Sequence, residues 1–303
     1  MKNKSIFGVL LAVAIAAGFA GVWRLQVRLD PARAAVESEK DELTLRSPSV
    51  VKKLSLEYAP LMGAIYWTRA VQYYGEKHRL RDQNLDLLWP LLDIATTLDP
   101  ELIASYRFGA IFLGDAPPRG AGDPERAVIL LKRGIAANPE YWRLYQDLGN
   151  VYYFDMKDYT KASQAFETGG RMPGAFPWMK TMAAKIAAEG ESLETSYALW
   201  LDIYQTVADK EIHRNAGEHL LMVQAQMEMR EINRRADQFE KETGKRPKQM
   251  SDLVDAGLLS KQPLDPMHYP YIIGEGGKAD LYPKSPLKEE IEREKMQARA
   301  FKR

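Results

Sequence analysis

Three stretches of this 303-residue chain place the same kinds of side chain at the same spacing. Leu88, Leu92, Ala95 and Pro100 stand at offsets 0, +4, +7 and +12, and Ala127, Leu131, Gly134 and Pro139 repeat them. Ala162, Phe166, Gly169 and Pro173 share the first three, with the proline one residue early. Positions four and seven apart lie on one face of an α-helix. The large residue at +4 then fills the space beneath a neighbouring helix, the small one at +7 lets that helix approach, and the proline starts the next helix. A second signature precedes each set: Met62-Gly63 with Tyr66, Phe108-Gly109 with Phe112, and Leu148-Gly149 with Tyr152. Two helical signatures in alternation describe helix pairs that must stack to bury their apolar faces. Asp99-Pro100-Glu101, Asp123-Pro124-Glu125 and Asn138-Pro139-Glu140 each read as an N-cap, an N1 proline and a first-turn acid. The expected fold is mainly α.

The large–Gly, aromatic, Ala, large, small, Pro order resembles the tetratricopeptide repeat (TPR) family over roughly residues 55–210. The best match is Trp142, Tyr145, Leu148, Gly149, Tyr152, Ala162, Phe166, Gly169 and Pro173. The resemblance implies an α-solenoid of three to four helix pairs, the fourth running from Trp178 through Met182 and Ala183 to Tyr197, Leu201 and Tyr204. A long helix near residues 212–242 would cap the array. The glycine- and proline-rich loop at residues 114–122 is longer than the family's. Beyond residue 243 the character changes. Arg246, Pro247, Leu253, Val254, Gly257, Leu259, Asp265, Pro266, Pro270 and Tyr271 resemble the end of type II secretion pseudopilins. By their own glycine and proline punctuation these residues read as a short helix at 250–256, a strand at 269–273 and a turn at 274–277. The pseudopilins' amino-terminal methylation signature is missing, so only a local fold is carried over.

Residues 6–23 are uncharged and apolar, preceded by Lys2 and Lys4 and followed by Arg24. As a helix they span roughly 27 Å, close to the ~30 Å hydrocarbon core of a bilayer. A single-pass transmembrane anchor over residues 1–29 is expected. The competing reading is a cleaved secretory signal, since Gly18-Phe19-Ala20 is small-x-small, although the apolar run exceeds the usual length. A buried core helix is the third. The flanking charges slightly favour an inside amino terminus, which puts the bulk of the chain in the periplasm, held at a bacterial inner membrane. A stalk (30–48, with Pro31 and Pro48), the TPR-like repeat domain (49–243), the small helix-plus-hairpin module (244–284) and a charged helix or tail (285–303) complete the expected organisation.

Lys and Arg number 42 against 41 Asp and Glu, which leaves no excess positive field for nucleic acid. With no cysteine there is no disulfide, Cys-ligated zinc, iron–sulfur cluster or thiol nucleophile. His213 and His219 are six apart, out of line for a zinc pair, and read as polar residues on a helix surface. Neither His78 nor His268 has a second histidine at ligand spacing in the sequence. Gly274-Glu-Gly-Gly-Lys278 does not meet the phosphate-loop pattern, and neither Gly-x-Ser-x-Gly nor His-Glu-x-x-His occurs. No enzyme, cofactor, metal or small-molecule substrate is expected.

In a repeat array the first helices of successive pairs line the inner groove. Arg69, Gln72, Tyr73, Arg107, Arg143, Gln146, Asn150 and Tyr153 meet that description and include the side chains that most often anchor interfaces. Solvated polar helix faces are the plainer alternative. The resemblance thus implies a membrane-anchored scaffold whose concave groove takes a peptide segment or helix of a protein partner, with secretion or pilus machinery as the expected setting. The alternative is a structural or assembly subunit of a larger membrane or extracytoplasmic complex, such as a cytochrome or polysaccharide apparatus.

Overall fold

The computed structural model describes residues 18, 19, 21, 23–27 and 47–301. The apolar run at 6–23 lies largely outside them, and so does most of the expected stalk. No helix among the described residues is long and apolar enough to cross a membrane. From residue 48 onward the described residues form twelve α-helices and one two-stranded hairpin, the mainly α architecture expected. It divides into two compact units, Met1–Glu76 with Leu85–Asp99, and Lys77–Asn84 with Pro100–Arg303. The expected repeat domain at 49–243 is therefore split between them.

The first unit holds α1 (Pro48–Ser55), a 3-10 turn (Leu56–Tyr58), most of α2 (Ala59–Leu80) and α3 (Leu88–Leu98). Val51 of α1 packs with Ile94 and Leu98 of α3, flanked by Ala59, Met62 and Tyr66. Gly63 is where α2 comes closest: a Cβ there would stand 2.8 Å from Asp99 Cβ and 3.2 Å from the Ala95 carbonyl oxygen. Leu88, Leu92 and Ala95 are completely buried.

In the second unit, α4 (Ile103–Gly114), α5 (Pro124–Ala137), α6 (Trp142–Asn150), α7 (Tyr159–Gly170), α8 (Trp178–Glu189), α9 (Leu193–Thr206) and α10 (Lys210–Thr243) follow one another. Each packs on the next. The glycines of the repeated signatures are where side chains wedge between helices. An added Cβ at Gly134 would meet the Tyr106 ring at 2.8 Å, and at Gly149 the Phe166 ring at 2.6 Å. At Gly169 it would meet Tyr145 Cβ at 2.6 Å and Met179 Cε at 2.7 Å. Ala127, Leu131, Ala162 and Phe166 are buried beside them.

The prolines divide into two kinds. Pro124 opens α5, and the Asp123 carboxylate accepts a hydrogen bond from the Arg126 N–H at 3.0 Å, as an N-cap does. Asp99 and Asn138, expected to play the same part, instead close the preceding helices: their N–H groups donate to Ala95 and Gly134 carbonyls. The Asn138 amide also donates to the Gly134 and Pro100 carbonyls. Pro100 and Pro139 therefore sit in turns, and α4 and α6 begin three residues later at Ile103 and Trp142. The Asn138 side-chain amide can donate to carbonyls and so suits a helix end as well as a start, whereas at Asp99 the closing bond comes from the backbone N–H.

Asp209 caps α10 through the Glu211 and Ile212 N–H groups, and Gly244, at φ +72°, ends it. Beyond lie α11 (Met250–Asp255), the antiparallel pair β1 (Ile272–Ile273) and β2 (Ala279–Asp280), and α12 (Pro286–Phe301). The ladder is shorter than the strand expected at 269–273: Ile272 and Ile273 pair with β2, whereas Pro270 forms a bridge with Leu264 and the Tyr271 N–H donates to the Pro263 carbonyl. Met222, Ala225, Ile232 and Ala236 of α10 share one core with Met250, Leu253, Tyr271 and Leu281, and with Leu287 and Ile291 of α12. The carboxy-terminal module is thus built onto α10 rather than beyond it. The segment from Ser285, read as a charged helix or tail, is a helix with two apolar residues in that core.

Candidate functional site

Of the eight residues expected to line a groove, Arg69, Gln72 and Tyr73 lie on α2 in the first unit, and the other five in the second. Arg69 and Gln72 are exposed, turned away from the side on which Gly63 and Ala70 are packed. The Arg69 guanidinium carbon lies 5.8 Å from the centroid of the Tyr66 ring. Tyr73 is half-buried.

Arg107, on α4, reaches α6. Its Nε donates to Asp147 Oδ2 at 2.6 Å and its Nη2 to Oδ1 at 3.3 Å. Burial pushes the Asp147 carboxyl up, against the downward pull of its bonds from Arg107, while Asp147 raises the Arg107 guanidinium. This two-point contact fixes the guanidinium plane. Arg143, three residues from Gln146 and seven from Asn150, shares a face of α6 with both, and all three are half-buried. The Arg143 guanidinium carbon lies 4.3 Å from the Trp142 ring centroid.

Phe108 and Ile111 share the outer side of α4 with Arg107 and are 52% and 48% exposed. Phe108 is the large residue before Gly109 in the repeated signature, yet it lies outside. The reason it is outside lies in the neighbour: Tyr106 fills the approach to Gly134 of α5, and with Ala110 four residues on it fixes the inward side of α4. Sequence reasoning missed this apolar pair for that reason.

Tyr153, expected on the groove wall, is inside at 8% exposure. Its hydroxyl donates to Glu189 Oε2 at 2.8 Å, and its ring meets Tyr159 edge-on. The cause is a π-helical turn, Val151–Asp155, closed by the Met156 N–H on the Val151 carbonyl at 3.1 Å. A π turn holds more residues than an α turn, so the helical phase lags and Tyr153 rotates inward.

A further cluster joins α8, α9, α10 and α12. His219 stacks on Trp200, ring centroids 4.1 Å apart and planes 10° from parallel, and is 4% exposed. Its Nε2 lies 3.4 Å from Glu294 Oε1, and Lys185 Nζ lies 3.7 Å from the same oxygen. Burial, then the Lys185 charge, pushes the imidazole down to about 3; burial pushes the Glu294 carboxyl up. The surface reading of His219 is therefore corrected. His213 stacks on Tyr204, 4.0 Å between centroids. Four separate helices supply the cluster, so no local motif announces it. Two shallow depressions on α10, of about 360 and 290 Å³, are lined by other residues, Arg234, Arg235 and Lys241 among the first set and Tyr197, Met227 and Glu228 among the second. Among the described residues, no group of three or more His, Asp or Glu is placed to hold a metal ion.

No family model matches this sequence, and no curated protein matches it either.

Proposed function

We propose that the chain is a membrane-anchored, TPR-like scaffold that binds protein partners at the bacterial envelope, in the periplasm, with secretion or pilus machinery as the setting that the pseudopilin-like ending favours. The observation that carries the reading is the outer face of α4: two half-exposed apolar side chains, Phe108 and Ile111, beside a guanidinium that Asp147 already holds in place. Covering the exposed halves of the two would contribute about 1–1.5 kcal/mol each. A pre-oriented arginine loses less conformational freedom when a partner docks. Gln146, Asn150 and Arg143 on α6 extend the face with polar contacts. The close glycine approaches support the stacked-pair reading, and the apolar run at 6–23 supports the anchor.

The absence of cysteine makes the test clean. Single cysteines at Gln146, Asn150 and, as a control, the exposed Gln164 of α7 would carry a photoactivated crosslinker in native membranes. The expected outcome is a discrete protein adduct from the first two positions and none from the third, lost when Phe108→Ser is added. Equal adducts at all three positions, or adducts indifferent to Phe108→Ser, would refute the face as the binding surface.

A further inference from the structure

Between residues 50 and 65 six large apolar side chains face solvent: Val50 and Leu54 of α1, Leu56 and Tyr58 of the 3-10 turn, and Leu61 and Ile65 of α2. Leu61 and Ile65, four apart, share one side of α2, opposite the packed Gly63 and Ala70. That stripe turns polar further along, at Thr68 and Gln72. Leu56, at 78% exposure the most open of the six, has φ +47°, a backbone conformation that favours glycine. The sharp break after α1 thus holds a leucine out in water. Lys52 and Lys53 are exposed in the same stretch, where Glu57 is the single acid.

We infer that this face rests on the surface of an anionic bilayer, with Leu54, Leu56, Leu61 and Ile65 at the boundary between headgroups and acyl chains and Lys52 and Lys53 against the phosphates. The inference rests on the anchor reading of residues 6–23. Three features argue for a bilayer as the occupant. Only residues 24–47 separate the end of the apolar run from α1, and 24 residues span at most ~85 Å, so the face stays within reach of the membrane. The described end of that run is helical and exposes Phe19 and Trp23, apolar surface the protein does not cover. The stripe on α2 is apolar only over its first turns, which suits shallow burial of one helix end in an interface. A helix pairing along its length with another protein would need the stripe to continue.

Single-cysteine variants Leu61→Cys, Ile65→Cys, Gln72→Cys and Gln164→Cys, each with an environment-sensitive nitrobenzoxadiazole label, test this in the full chain reconstituted into phosphatidylcholine vesicles with and without phosphatidylglycerol. The expected result in anionic vesicles is blue-shifted emission and loss of intensity to spin-labelled lipid at 61 and 65. The loss should be smaller at 72, roughly 16 Å further along the helix, and absent at 164. Lys52→Glu with Lys53→Glu should reduce the loss at 61 in anionic vesicles. Labels at 61 and 65 quenched by aqueous iodide as readily as at 164 would overturn the inference. So would energy transfer between labelled copies at 61 that is indifferent to lipid, because a second copy would then cover the face. Carbonate extraction of the same vesicles separates the two readings. A chain that washes off loses its anchor and this inference with it, whereas a chain that stays with wet labels loses the inference alone.

Discussion

Replacing His219 by phenylalanine should flatten the acid limb of this protein's stability curve. The imidazole is buried against Trp200 and beside Lys185, and its pKa is pushed from 6.5 down to about 3. Below pH 6.5 the unfolded chain takes up a proton that the folded chain refuses. The stability tied to neutral His219 is therefore present above that pH and is lost as pH falls toward 3. Between pH 7 and pH 5 the loss amounts to about 2 kcal/mol. Glu294 and Asp155, whose carboxyls burial pushes up, act in the opposite sense and gain stability on acidification. Both remain in the variant, so the difference between the two curves isolates the histidine. Phenylalanine keeps an aromatic ring against Trp200, so the fold should survive. Urea unfolding of the full chain in non-ionic detergent, read by circular dichroism at pH 7 and 5, should show the native protein losing that increment and His219→Phe losing little of it. The chain has four histidines, so imidazole resonances allow a direct titration as well. Parallel stability curves, or a His219 resonance titrating near 6.5, would refute the burial argument.

Gly149→Ala should cost about 1–3 kcal/mol, since its Cβ would stand 2.6 Å from the Phe166 ring. Gly75→Ala, within α2 and with nothing inside 4 Å, should instead gain about 0.5–1 kcal/mol; thermal melts that fail to show opposite signs would count against the packing. Arg107→Ala should cost about 1–3 kcal/mol by leaving the buried Asp147 carboxylate without its cation. That loss should shrink as the pH is lowered and the acid, pushed up by burial, takes up its proton; a loss independent of pH would show that the pair is not its source. Asp155, pushed up to about 6 by burial and by Asp115, is strained as a carboxylate at neutral pH. Asp155→Asn should raise the melting temperature at pH 7.5, with the gain vanishing below pH 4; an equal gain at both pH values would point to something other than charge.

Much of the helical framework was legible because it rests on local rules. Leu88, Leu92, Ala95, Ala127, Leu131, Ala162 and Phe166 announce buried faces by spacing alone, and all are buried. The glycines of the same signatures mark real close approaches for a related reason: only a residue without a side chain leaves room for Tyr106, Phe166 or Tyr145. Gly244 and Pro124 end and begin helices through their own backbone chemistry, which needs no distant partner.

The candidate face was less legible, since it depends on which side of a helix its neighbours leave open. Helical periodicity names Arg107 and Phe108 as adjacent, but only the wedge of Tyr106 against Gly134 decides that both point outward. Tyr153 keeps α-helical spacing in the sequence, and a π turn rotates it inward. The amino-acid sequence by itself determined where helices form and which faces must be buried, because propensity, capping and periodicity act within a few residues. Only the tertiary structure decided that Arg107 spends its charge on Asp147, that α12 docks on α10, and that His219 is neutral between Trp200 and Glu294, because burial and Coulomb attraction depend on residues brought together from distant parts of the chain.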